Sequence, residues 1–136
     1  MERTYTTPLL DKLGVKPGAR VAIVGDVDPD GSFRELLADR TSDVTIGRPK
    51  ADTDLVFLAA DSTAELEALA GLRTRIRSNG AIWVVSRKGK ASTLRDVEVM
   101  AAGKANALVD NKVVSFSDTH TSLRLVIPVA LRPTMR

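Results

Sequence analysis

A chain of 136 residues, 43% hydrophobic and 27% charged, is expected to fold as one globular domain, 1–136, burying about two-thirds of its unfolded surface. It has no cysteine, which excludes a disulfide framework, a thiolate zinc site and a cysteine nucleophile; no apolar run approaches the roughly 18 residues of a membrane span. The formal charge of +3 conceals a segregation: residues 1–70 carry 8 basic and 13 acidic side chains (net −5), and residues 71–136 carry 12 and 4 (net +8). With no leader pattern at Met1, the expected location is the cytoplasm.

In chain order, Met1 to Thr7 is polar and is expected to be mobile. Leu9, Leu10 and Leu13 after Thr7-Pro8 predict a short helical turn stopped at Gly14. Lys16-Pro17-Gly18 marks a turn, and Arg20 to Val24 is a short apolar run with β-branched residues, the signature of a buried strand. Ser32 and Glu35 have capping-box spacing and predict a helix to about Arg40, with Phe33, Leu36 and Leu37 inward. Val44 to Ile46 and Leu55 to Ala59 follow as strands. A second capping box, Ser62 to Glu65, predicts a helix with Leu66, Leu69, Leu72 and Ile76 on one side, closed by Asn79-Gly80.

Ala81 to Val85, around the single tryptophan Trp83, is the next strand. Ser92 or Thr93 is expected to cap a helix carrying Leu94, Val97 and Met100, stopped at Gly103. Ala107 to Phe116 and Ser122 to Leu131 read as two strands joined near Asp118 and His120, with Pro128 confined to an edge, a bulge or a strand end.

The alternation predicts an α/β fold: a three-layer, mostly parallel sheet with a C-terminal antiparallel hairpin, whose connection is too short for a crossover. This order resembles the class I methyltransferase-like Rossmann fold with an early strand–helix unit missing. Thr7 to Gly18, Gly80 to Val84, Ala107 to Val113 and Ser122 to Ile127 are also similar to a small bacterial family, domain of unknown function 3052. The chain departs from that family after Val85, where Ser86-Arg87-Lys88-Gly89 replaces a Trp-Pro-Lys-Lys pattern, and at His120, where tryptophan is usual. The resemblance implies a fold and no activity.

Candidate chemistry falls in three places. Gly25-Asp26-Val27-Asp28-Pro29-Asp30-Gly31 occupies the position of a cofactor-binding turn, but its carboxylates would repel a pyrophosphate, and Gly47 stands where an acidic residue would hold a ribose. No cofactor is therefore expected, and the twelve-residue calcium loop is absent. Arg87, Lys88 and Lys90, leading to Ser92 and Thr93, could receive an anion or pair with the acidic turn. On the final hairpin, Asp110 and Lys112 are expected to share one strand face and pair, while Asp118, His120 and Ser122 lack the strand–turn setting of a nucleophile elbow. Arg73, Arg75 and Arg77 are expected to close a helix.

The candidate ligand-binding residues are thus Gly25, Asp26, Asp61, Arg87, Lys88, Lys90, Asp110 and Lys112, with no catalytic or metal-binding residue. The expected function is a non-catalytic module for a small anionic ligand or a protein partner, with homo-oligomerisation possible. The alternatives are a degenerate methyltransferase-like enzyme or nucleotide or anion binder, and a weak nucleic-acid binder. The low aromatic content of 4% disfavours the last, because single strands need stacking platforms.

Overall fold

The computed structural model describes residues 8–28 and 30–132, so Met1 to Thr7, Pro29 and Pro133 to Arg136 lie outside the described residues. Helices α1 (Leu9–Lys12), α2 (Ser32–Ala38), α3 (Leu69–Arg73) and α4 (Asp96–Ala105) accompany six strands. The strands are β1 (Val21–Val24), β2 (Val44–Ile46), β3 (Thr53–Ala59), β4 (Ile76–Arg87), β5 (Val109–Ser115) and β6 (His120–Val126). They form one sheet in the order β2-β1-β3-β4-β6-β5. β1, β2, β3 and β4 run parallel, and β6 pairs antiparallel with both β4 and β5. The expected three-layer architecture with a reversed terminal pair is present.

The period-two alternation of the strands supplies two cores. Ile23, Phe57, Trp83 and Val85 face α1 and α2, meeting Leu10, Leu13, Phe33 and Leu37. Ala22, Val56, Leu58, Ile82, Val84 and Leu125 face the other way, against Leu66, Leu69, Leu72 and Val99. Trp83 is fully buried, and its indole Nε1 donates to the carbonyl of Leu13 at 3.0 Å, which pins the end of α1 to the middle of the sheet.

Several expected boundaries move. Of the Ser62–Glu65 box one arm forms, Ser62 Oγ accepting the Glu65 N–H at 3.3 Å while the Glu65 carboxylate takes the N–H of Asp61, and it precedes a 3₁₀ turn (Glu65–Ala68) before α3, which ends at Arg73. Ile76 instead begins β4 opposite Thr53, and Arg77 pairs with Asp54 at 2.9 Å, so only Arg73 sits at the helix end. Gly80 is inside β4: an added Cβ there would lie 2.7 Å from the Asp54 carbonyl, so the irregular β3–β4 register needs glycine. Gly103 does not stop α4; it lies within the helix, where a Cβ would press Leu125 at 3.0 Å. Val97 points out, 59% exposed.

The alternating run of the last strand ends at Val126. Ile127 stays buried, Pro128 starts a 3₁₀ turn, and Val129 and Leu131 are exposed. Asp110 and Lys112 do not share a face. The register slips between them, so Asp110 sits opposite Leu125 and Lys112 opposite Arg124, whose neighbours point to opposite sides of the sheet. The bulge reverses the alternation, and no ion pair forms.

Candidate functional site: the carboxyl edge of the parallel strands

The chain leaves β1 to pair β2 on one side and β3 on the other, so the strand order reverses at β1. In open α/β sheets the crevice beyond the carboxyl ends at such a reversal is where ligands bind. Here β1 is followed by Gly25, with φ +85°, a conformation that only glycine adopts without strain. A Cβ built on Gly25 would lie 3.1 Å from the Cβ of Ala59 on β3. The room this glycine frees is therefore filled by the neighbouring strand.

The acidic turn folds back on its own helix. Asp28 is 8% exposed, and its carboxylate accepts the N–H of Phe33 at 2.6 Å and of Arg34 at 3.0 Å. Ser32 Oγ adds a longer bond at 3.4 Å. Asp28 thus does the capping that the sequence assigned to Ser32, with Gly31 at the helix boundary. Asp30 accepts the N–H of Ser32 at 3.0 Å, and that bond, with a side-chain bond from Ser32, holds its carboxyl below the usual aspartate range. The crevice next to Gly25 and Ile46 has a volume of only about 70 Å³.

Two larger recesses flank the turn. One, about 360 Å³, is lined by Asp26, Ala59, Asp61, Glu65, Arg87 and His120. The other, about 390 Å³, lies between α1, α2 and the β5–β6 turn; its walls include Val27, Phe33 and Phe116, its rim Asp30 and Asp118, and it shares His120. The structure therefore brings Asp26, Asp61 and Arg87 around one space and sets Gly25 at the neighbouring small crevice.

Asp61 organises the first recess. Its carboxylate accepts the Arg87 N–H at 2.8 Å and Arg87 Nε at 3.3 Å, and its carbonyl accepts Thr93 Oγ1 at 2.6 Å. Arg87 is thereby paired with Asp61, not with the acidic turn. Lys88 reaches Ser115 Oγ at 2.7 Å, and its N–H donates to the Thr119 carbonyl. Lys90 is exposed in a 3₁₀ turn (Gly89–Ala91) and has no polar partner among the described residues. Asp110 and Lys112 sit on β5, outside both recesses; Lys112 Nζ donates to the Lys12 carbonyl at 2.8 Å.

No nucleophilic constellation forms on the hairpin. His120 Nδ1 lies 2.8 Å from Thr119 Oγ1, while Ser122 is fully buried and donates to the Val114 carbonyl. Asp26 is exposed and unpaired among the described residues, so it is the carboxylate left available to a ligand. Sequence reasoning missed Ala59, which depends on the approach of a separate strand, and the capping by Asp28, a local contact that the Ser32–Glu35 spacing masked.

No family model matches the chain, and no curated protein matches its sequence. Among solved structures, the chain is similar to LepI in complex with SAM at a TM-score of 0.62 and 12% identity, covering 93% of this chain and 49% of that one. It is similar to the mitomycin 7-O-methyltransferase MmcR at 0.61 and 13% identity, covering 84% and 49%. A candidate type 11 methyltransferase from Sulfolobus solfataricus aligns at 0.63 and 11% identity, covering 94% and 92%. The chain thus spans about half the length of the first two. Taken with the strand order, these likenesses show that it has the methyltransferase-like Rossmann fold.

Proposed function

We propose that the chain is a non-catalytic small-ligand or interaction module on a methyltransferase-like frame, with its ligand site in the recess formed by Asp26, Asp61, Arg87 and His120. The observation that carries this reading is that the room left by the missing side chain of Gly25 is taken by Ala59, 3.1 Å from where a Cβ would lie. In a cofactor-binding turn, that glycine lets the ligand approach the backbone. Two further features support it: Asp28 takes the first N–H groups of α2, and the adjoining crevice of about 70 Å³ falls well short of the ~300 Å³ of ordinary small-molecule sites. The unpaired Asp26 favours a ligand that offers a hydrogen-bond donor or positive charge there over the anion expected from Arg87, Lys88 and Lys90. Membership of domain of unknown function 3052 is part of this proposal; it is carried by the sequence likeness at Gly80 to Val84 and in the terminal hairpin.

Thermal denaturation with added S-adenosylmethionine, S-adenosylhomocysteine and NAD tests the reading. A ligand present at about 100 times its Kd stabilises by about 2.7 kcal/mol, a shift easily seen. No shift with any of the three is expected, and amide shifts from a small-molecule library should cluster at Asp26, Asp61, Arg87 and His120. Saturable stabilisation by S-adenosylmethionine would overturn the proposal in favour of a degenerate methyltransferase-like enzyme.

A further inference from the structure

Between the middle of the sheet and its opposite, amino edge lies a charge arrangement that the carboxyl-edge site does not use. Arg124 on β6 stands directly across from Lys112 on β5 and from Trp83 on β4. Like charges facing each other across a strand pair destabilise it. Lys112 escapes by turning its ammonium to the Lys12 carbonyl at 2.8 Å. Arg124, half-buried, has no ion pair and no side-chain hydrogen bond among the described residues. Burial, and then the positive charge of Arg132, hold its guanidinium pKa below the ordinary arginine value.

Arg124 faces a cavity of about 310 Å³, which Lys16, Gly18, Asn79 and Asp54 also line. Asp54 is the carboxylate in that lining, and its charge is answered outside the cavity by Arg77. Oδ1 holds Arg77 Nε at 2.9 Å, and Oδ2 accepts the Arg20 N–H at 2.9 Å. Arg124 and Lys16 therefore line one space whose carboxylate, Asp54, is already ion-paired with Arg77, and Asn79 lines it too.

We propose that this amino-edge cavity is an oxyanion site for a small phosphate-bearing ligand, with Arg124 supplying a two-pronged guanidinium contact and Lys16 a second positive charge. The planar fork of arginine matches two phosphate oxygens, and a half-buried guanidinium gains more from that match than an exposed lysine does. A doubly charged phosphate fits two converging cations better than a single carboxylate does. The anion expected from the basic second half of the chain is thereby placed away from Arg87, whose charge Asp61 answers.

The test is a titration followed by ³¹P NMR and thermal denaturation in a low-salt chloride buffer, first with inorganic phosphate and then with glycerol phosphate. The wild-type chain should show saturable binding and a rising Tm. Arg124→Met should weaken binding about tenfold or more, and it should raise the Tm of the ligand-free protein by removing an uncompensated charge. Lys16→Ala, on an exposed turn that cannot endanger the fold, should weaken binding about threefold. Arg48→Ala, outside the cavity, should change nothing. Tighter binding of glycerol phosphate than of phosphate supports an esterified ligand, and equal binding supports the free ion. No saturation by about 10 mM phosphate, or wild-type affinity in both the Arg124 and the Lys16 variants, would overturn the site.

Discussion

Replacing Asp28 by alanine isolates the interaction that shapes the turn after β1. The carboxylate accepts two backbone N–H groups, at 2.6 Å from Phe33 and 3.0 Å from Arg34. Phe33 is only 3% exposed, so water cannot readily take over its N–H. Loss of a capping side chain costs about 1 kcal/mol, and an unsatisfied buried donor adds about 1–3 kcal/mol, part of which relaxation recovers. Asp28→Ala should therefore destabilise by about 2–3 kcal/mol and lower Tm by about 10 °C for a chain of this size. Asp28→Asn keeps one acceptor and the shape, and should cost about half as much. Urea denaturation followed by the fluorescence of Trp83, the single and fully buried tryptophan, measures both. An alanine variant within about 0.5 kcal/mol of wild type would refute the assignment of Asp28 as the cap that occupies this helix start.

Two further predictions follow from the core and from the charge pattern. Trp83→Phe removes the bond to the Leu13 carbonyl and leaves a void, so it should cost about 2–4 kcal/mol by urea denaturation and speed amide exchange around Leu13 and Val15; a cost below about 1 kcal/mol would count against the anchoring of α1. The Asp43 carboxyl is held below its ordinary value, first by the bond from Arg20 Nε at 2.9 Å. Stability from this pair is present above the unfolded aspartate value of 3.8 and is lost as pH falls through the lower folded value, so Asp43→Asn should flatten the acid limb of a Tm-versus-pH curve below that point. An unchanged acid limb would show that the pair is screened by solvent.

Much of the frame was legible because the signals were local. Val21 to Val24, Leu55 to Ala59 and Ala81 to Val85 are uninterrupted apolar runs, and each lies in a strand of the parallel part of the sheet. The boundaries that moved are those set by partners distant in sequence. Ile76 continues the apolar spacing of a helix, yet pairing with Thr53 and the ion pair from Arg77 to Asp54 draw this segment into β4. Gly103 resembles a helix stop, but close packing on Leu125 is what needs the missing side chain. The bulge between Asp110 and Lys112 has no signature in the sequence, and it separates two residues that strict alternation would place together.

The same division between local and distant signals governs the candidate site. Alternating parallel units place Gly25, Asp61 and Arg87 at one edge, and that much follows from chain order alone. Which charges answer each other does not, because Asp61 and Arg87 are 26 residues apart and meet only through the pairing of β3 with β4. Once they meet, the balance of each edge changes. Among the described residues, the carboxyl edge keeps an unpaired Asp26 while its Arg87 is paired with Asp61, and the amino edge keeps an unpaired Arg124 while Asp54 is paired with Arg77. The basic tally of residues 71–136 therefore does not say where an anion would bind; on the proposal above that depends on a half-buried cation whose partner folding does not supply, which is a property of register rather than of composition.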